Sequence, residues 1–534
     1  MPPRAASAEK KQEPAQTIEQ IAAAIEEFLA AHEGAVALED GKVLFDMRAA
    51  KYRLATEHGR CSLHLWSEER NVVRRVSAAV VRNGSLRLST LRFGQTKPQT
   101  LEFVADRDRR TPSTREATRV KYLRVLERVL LRSFPEFKAE AFRTAMDLEK
   151  SFGPAYARGS LVKGSQAWAV IGVNEDETQT TVDGILTLGI LWLQHCRESG
   201  DGRRVYQGLK LIVPRGMAML TLSRMAWLND KVAQWELWEL DEKTEELEQR
   251  DAADHGNLTT RLMHSPNEDA AKERFAESKA RVMALVPETM REVVERCLRS
   301  GTELGFLLHG LEFARVRMGY AGNSFNSAQE ITFGAGANET PLTEENEDEL
   351  RELVARLFER RAAGGDRRDP LYRMQPERWL ESVLRRDVSL VDAHLKVDKV
   401  YTQVPAFAAA DRGMLDLLGV TDDGRLAVIE LKADEDLHLA LQGLDYWVRV
   451  RWHHLQNADH VTGLGEFQRH GYFGGMRLSA EAPRLYLVAP ALRVHPATEV
   501  VLRYLSPRVE WTLIALDERW RANVKVVWRK RSGA

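Results

Sequence analysis

Cysteine is scarce. Cys61, Cys196 and Cys297 are the only three in 534 residues, and no two stand in a CxxC spacing, which excludes a disulfide scaffold and a cysteine-rich zinc site. No apolar run reaches the roughly 18 residues of a membrane span. The opening stretch MPPRAASAEKKQEPAQ lacks the apolar core of a secretory signal. Neither sign of charge prevails, with 77 basic residues against 78 acidic ones, so any polyanion site must be a local patch rather than a bulk property. No GxxxxGK[ST] run occurs, which argues against an intrinsic ATPase. What is present is ordinary for a folded chain: 44% hydrophobic and 29% charged residues, enough apolar material for full cores. At about 150 residues per domain the length predicts three or four domains. The expectation is a protein of a reducing, cytoplasmic compartment with no membrane partner.

The chain repeats itself. WAVIGVNEDE near position 170 resembles LAVIELKADE near 428, with Ala169, Val170 and Ile171 matching Ala427, Val428 and Ile429 at an offset of 258. LKLIVP (209–214) parallels LYLVAP (485–490), and QWELWELDE (234–242) parallels EWTLIALDE (510–518), both at offset 276. Upstream, LERVLLR (126–132) echoes LESVLRR (380–386) at offset 254. Four matches in one order predict a tandem duplication. The expected organisation is a disordered tail at 1–16, a small β-containing module at 17–110, an α/β domain at 111–245, a charged linker at 246–284, a second small module at 285–370 and a second α/β domain at 371–534.

The window 412–454, RGMLDLLGVTDDGRLAVIELKADEDLHLALQGLDYWVRVRWHH, carries the chemistry. MLDLLGVT and RLAVIELKA are strand-like, and Gly424 supplies the left-handed residue that closes a three-residue hairpin loop over Asp422–Gly424. That register sets Asp416 opposite Glu430, with Lys432 two residues along the same face; a slip of one residue would separate them. Two close carboxylates on an apolar hairpin repel unless a proton or a cation intervenes. Few, hard oxygen ligands suit Mg²⁺ or Mn²⁺. Downstream, His438, Gln442 and Tyr446 recur at i, i+4 and i+8 and share one helix face.

The pattern D-x13-E-x-K followed by Q-x3-Y, in GMLDLL…AVIELKA…QGLDYW, resembles the PD-(D/E)XK nuclease superfamily, particularly its RecB-like branch. The resemblance covers about 376–520. It implies a restriction-endonuclease-like mixed sheet flanked by helices, with Asp416 and Glu430 as metal ligands, Lys432 as the catalytic lysine, Gln442 and Tyr446 as the helix motif, and Glu381 as the glutamate of the preceding helix. Leu415 stands where the superfamily name has proline. Gln403, just before the hairpin, is a further candidate for the site.

The repeat serves as an internal control. At offset 258, Gly172 and Asn174 stand where the second copy has Glu430 and Lys432, Arg158 where it has Asp416, and Gly184 where it has Gln442. A glycine and an asparagine cannot hold a divalent cation unaided, so the first copy is expected to keep the fold without the chemistry. It does offer charge: residues 107–132 carry nine basic side chains against three acidic ones. Arg110, Arg119, Lys121 and Arg124 there, with Arg449 and Arg451 beside the candidate centre, are the expected contacts to nucleic acid, the alternative for the helix being a solvated face paired with acidic neighbours. The lead expectation is a Mg²⁺- or Mn²⁺-dependent nuclease acting on DNA, RNA being an alternative substrate, in an α/β (α+β) chain in which each copy is a small β-rich module followed by the mixed sheet. A non-catalytic nucleic-acid sensor or scaffold working with a protein partner, and another reaction on the same fold, are the alternatives. The chain is expected as a monomeric pseudo-dimer or a homodimer.

Overall fold

The structure is a computed structural model. It describes residues 16–533 except 33–34, 40–41, 48–49, 57–59, 67–70, 83–84, 92–98, 105–111, 148–151, 200–202, 252–259, 321–326, 336–338, 409–410 and 457–464. The protein is mixed α/β, with four sheets among the described residues. The chain divides into two compact units, one of residues 1–109 and 330–350, the other of 110–329 and 351–534. The smaller unit thus joins N-terminal residues with 330–350, which come from the segment expected to form the second module. The loose tail expected at 1–16 lies almost wholly outside the described residues.

In the smaller unit, helix Ile18–Ala31 starts at a reciprocal cap between Thr17 and Gln20. Its apolar stripe of Ile21, Ile25, Phe28 and Leu29 is buried in one core with an antiparallel sheet of seven strands. The strand Ser85–Leu91 shows the period of two: Leu86 and Leu88 are buried while Arg87 is exposed. From 330–350, Thr332 donates to Glu339 at 2.9 Å, and Glu339 pairs with Lys51.

The larger unit holds two mixed sheets. The first half runs α1 (Pro112–Ser133), β1 (Lys138–Arg143), β2 (Tyr156–Lys163), β3 (Gln166–Val173), α2 (Ile185–Ser199), β4 (Val205–Pro214), α3 (Met219–Met225), β5 (Gln234–Asp241) and β6 (Glu246–Arg250). After it, Thr260–Leu262 forms β7, an edge strand of the second sheet. The second half runs α4 (Pro376–Arg386), β8 (Tyr401–Ala408), β9 (Asp411–Val420), β10 (Leu426–Leu431), α5 (Leu439–Arg451), β11 (Arg484–Pro490), α6 (Pro496–Arg503), β12 (Trp511–Leu516) and β13 (Val526–Arg531). Sheet order is β6-β5-β4-β3-β2-β1 in the first and β7-β8-β9-β10-β11-β12-β13 in the second. The two agree strand for strand over six strands: an antiparallel three-strand meander, two parallel neighbours and a final antiparallel edge. The central strands β3 and β10 are covered on both faces, which is why, but for Gln166 at the start of β3, their residues are buried without alternation, and apolar but for Glu430 of β10.

The segment 246–284 is more structured than a charged linker: it supplies β6, β7 and the helices Glu268–Arg274 and Ala276–Leu285. An antiparallel meander, Val294–Ser300, Glu303–Leu308 and Leu311–Tyr320, follows. It supports α4, since Glu295 accepts from Ser382, and the His309 carbonyl accepts from the fully buried Arg361. Arg361 also donates to the carbonyls of Leu371, Met374 and Gln375, fixing the chain that leads into α4.

On its outer face the first sheet packs under α1, with Val170 and Ile212 among the contacts; the second packs under α4, with Ile429 and Val488. The inner faces, with α2 and α5, form one continuous core. There the halves meet reciprocally. Asn229 N–H donates to the Tyr504 carbonyl at 2.9 Å, and Ser506 N–H donates to the Trp227 carbonyl at 2.8 Å, on either side of a bridge between Leu228 and Leu505. Adding 277 to Trp227, Leu228 and Asn229 gives Tyr504, Leu505 and Ser506, so exchanging the halves maps one bond onto the other. Likewise α2 packs on α6 and α5 on α3. This is the self-complementary pattern of a two-fold interface, made within one chain.

Candidate functional site

The β9–β10 hairpin has the expected register. Leu417 pairs with Ile429, Leu418 with Val428 and Val420 with Leu426, and Gly424 closes the loop at φ 81°. Asp416 therefore stands beside Glu430 on the inner face, and its Oδ2 accepts the Leu431 N–H at 2.9 Å. Glu430 is 2% exposed, and its Oε2 is buried without accepting a hydrogen bond. Burial and the neighbouring Asp416 hold the Glu430 carboxyl well above the ordinary carboxylate range; burial raises Asp416 too, against the Leu431 N–H and the Lys432 charge. Lys432 Nζ lies 3.3 Å from Glu430 Oε1 and 3.6 Å from Asp436 Oδ2. Burial opposes its charge, but Glu430, Asp436 and Asp416 outweigh burial and strengthen its hold on the proton.

Two helices bracket this pair. Gly443 lets α5 press onto β10 and β11: a Cβ there would stand 2.4 Å from Leu487 Cδ2 and 3.6 Å from Glu430 Cβ. The close approach sets the half-buried Gln442 and Tyr446 over the site. Gln442 Oε1 is buried and unpartnered. Burial and then the carboxyls of Glu430 and Asp416 push the Tyr446 phenol well up. From the other side, α4 brings Glu381, 6% exposed. Its Oε2 accepts from Gln403 Nε2 at 2.7 Å and from Arg378 Nη1 at 3.2 Å. Burial raises the Glu381 carboxyl to about 8, Asp416 and Glu295 adding to the effect against Arg378 and Arg385. Gln403 holds a left-handed backbone, φ 52°, within β8, a conformation that costs energy for a residue with a Cβ.

The structure thus brings Asp416, Glu430, Lys432, Tyr446 and Glu381 together from β9, β10 and the residue just after it, α5 and α4, with Gln442 one turn before Tyr446 on α5. Arg378 and Asp436 join them and were not singled out in the sequence. A signal was present for both: Arg378 stands three residues before Glu381 on one helix face, and Asp436 four residues after Lys432. Among the described residues no group of three or more His, Cys, Asp or Glu side chains is placed to hold a metal ion.

The first half occupies the same positions with different chemistry, and the pairing of residues corrects the comparison made from sequence. Gly172 is not the counterpart of Glu430, because a Cβ on Gly172 would meet Tyr122 and Leu126 of α1, on the outer face. Ile171 is. It pairs with Leu211 as Glu430 pairs with Leu487, and Gly189 of α2 presses on Ile171, Leu209 and Leu211 as Gly443 presses on Glu430, Leu485 and Leu487. The AVI/AVI identity is therefore one residue out of structural register, and in a strand one residue changes the face. Val173, not Asn174, answers to Lys432. In α2, Leu188 and Trp192, not Gly184, answer to Gln442 and Tyr446. Arg158 does oppose Ile171, so an arginine stands in the place of Asp416. It is fully buried, donates to the carbonyls of Ala145 at 2.6 Å and Tyr156 at 3.5 Å, and lies over Phe152 at 4.8 Å and Trp192 at 5.8 Å. Burial and the nearby Arg143 weaken its hold on the proton.

Of the basic residues expected to meet nucleic acid, Lys121 and Arg124 are exposed on α1. Arg119 is paired with Glu177 at 2.8 Å, and Arg110 lies outside the described residues. Arg449 is 2% exposed and paired with Asp445 at 2.7 Å, which places it inside the fold rather than on a surface. Arg451 lies 4.6 Å above the ring of Trp227 at the seam between the halves. No described helix is long and apolar enough to cross a membrane. Comparison of the chain with models of known protein families, with curated proteins and with solved structures returns no match.

Proposed function

We propose that the larger unit is a tandem duplication of one restriction-endonuclease-like domain, and that the second copy is a Mg²⁺- or Mn²⁺-dependent nuclease of PD-(D/E)XK type acting on DNA. One observation carries the reading: Asp416 and Glu430 meet across adjacent strands beside Lys432, and a buried Glu430 oxygen accepts no hydrogen bond. Burying a carboxylate without a partner costs several kcal/mol unless a proton or a cation satisfies it. The donor set fits: Mg²⁺ keeps most of its waters and takes one or two carboxylates, and Asp416 and Glu430 would hold it. When bound, the ion supplies polarisation of a phosphodiester and a more acidic water.

The chain's own residues do the rest. Lys432, kept charged by three carboxyls, sets an ammonium beside the attacked phosphate. Gln442, with its unpartnered Oε1, and Tyr446 border the pocket and orient the substrate. Glu381 stays bound to Gln403 and Arg378 and shapes the acidic side of the pocket. The test is cleavage of linear and circular DNA with Mg²⁺, Mn²⁺ or EDTA. Metal-dependent cleavage is expected in the native chain, with a loss of at least about 10³-fold in Glu430→Ala and in Lys432→Ala. Full activity in both folded variants overturns the assignment.

A further inference from the structure

At the start of α5 the seam between the halves comes close to the candidate centre. His438 stands at the start of α5, yet its ring does not cap that helix. The ring crosses to the first half, where His438 Nδ1 and Thr187 Oγ1 lie 3.0 Å apart, Thr187 being only 1% exposed. Gly184 makes room for it: a Cβ there would stand 2.9 Å from His438 Cε1 and 3.0 Å from Tyr156 Oη. Tyr156 cannot withdraw freely, since its hydroxyl donates to the Thr181 carbonyl at 2.6 Å. On the other side, His438 N–H donates to Asp436 Oδ1 at 2.7 Å, and Asp436 Oδ2 lies 3.6 Å from Lys432 Nζ, which is 3.3 Å from Glu430. Polar contacts therefore run unbroken from Thr187 in one half to Glu430 in the other.

We infer that the first half is a positioning partner for the centre in the second. Thr187 and Gly184 hold His438, His438 fixes the turn that carries Asp436, and Asp436 keeps the Lys432 ammonium beside Glu430. Thr187 and Gly184 are positioning residues, and the first half retains its fold because the centre needs this wall. The effect on cleavage rests on the nuclease reading; the effect on Lys432 does not.

Thr187→Val keeps the shape and removes the hydroxyl, whereas Thr187→Ser keeps the hydroxyl. Thr187→Val is expected to lower kcat for DNA cleavage about tenfold, the equivalent of one lost positioning contact, with KM unchanged, and Thr187→Ser to restore it. In parallel, acylation of Lys432 by an amine-reactive ester, read by peptide mass spectrometry against Lys121, is expected to change severalfold in Thr187→Val and to stay native in Thr187→Ser. A Thr187→Val variant with native kcat and native Lys432 reactivity overturns the inference. A native chain that cuts no DNA overturns the nuclease reading alone, and Lys432 reactivity then decides whether the wall positions it. Gly184→Val should act like Thr187→Val; should it fail to fold, the Thr187 pair still decides.

Discussion

The two halves of the larger unit share strand order, strand sense and the helix that presses on the central strand through a glycine, yet they fill the same inner positions oppositely. Where the second has Asp416, Glu430, Lys432 and Tyr446, the first has Arg158, Ile171, Val173 and Trp192. In the second the buried carboxyls are left raised and one oxygen unpartnered. In the first the buried arginine donates to two backbone carbonyls and lies over two aromatic faces, its Nε alone staying unpartnered, with the apolar Ile171 and Val173 in the places of Glu430 and Lys432. The backbone tolerates either filling, because sheet and helices are set by the apolar positions around the site and not by the site. A buried carboxyl pair beside a lysine in one half, against an arginine and apolar residues at the same positions in the other, shows that the fold itself does not dictate the cluster.

The largest effect expected from this difference is in the product of cleavage. The strands of a duplex are related by two-fold axes, and the halves are related by an approximate two-fold, but only the second has a carboxyl pair at its central strands. Supercoiled circular DNA should therefore accumulate as the nicked circle, resolved on an agarose gel, with linear product appearing late. Linear product formed from the outset would mean that two chains pair or that the first half cuts.

The paired glycines sharpen the comparison. Gly443→Val and Gly189→Val should each destabilise the protein by about 1–3 kcal/mol through overpacking, read by chemical denaturation, since added atoms meet Leu487 in one half and Leu209 and Leu211 in the other. Only Gly443→Val should also stop cleavage, because it moves Gln442 and Tyr446 off Glu430. Equal loss of cleavage in both would show that the halves are not separable in this way.

The smallest effect is electrostatic. Glu381 titrates near 8 in the fold against 4.5 when exposed, so between those values the folded chain holds a proton that the unfolded chain has released. Its stabilising contribution is complete below about pH 4.5 and is lost as pH rises toward 8, at up to about 1.4 kcal/mol per pH unit. In the metal-free protein, Glu381→Gln should flatten stability over that window; an unchanged slope would place the titration elsewhere.

Much of this was legible in the residues. The hairpin register followed from one left-handed glycine and a count of residues, and the helix face carrying Gln442 and Tyr446 from a period of four. At Ile171 the halves correspond one residue away from their identical letters, AVI and AVI, because strands correspond by the face a side chain occupies. The segment 246–284, rich in charge and expected as a linker, supplies an edge strand to each sheet, since edge strands bury little and leave a weak hydrophobic signal. Arg449 read as a surface cation and is buried, because Asp445 one turn earlier satisfies it.

By itself the sequence determined the local geometry: which segments are strands, where the hairpin turns, which carboxylates share a face. These depend on neighbours within a dozen or so residues, whose periods and turn residues are written in the chain. Only the tertiary structure decided that residues 330–350 belong to the smaller unit, that the halves meet through reciprocal hydrogen bonds, and that Thr187 reaches His438 from 251 residues away. Such pairings are selected by complementary shape and buried polar partners between distant segments, and no periodicity along the chain records them.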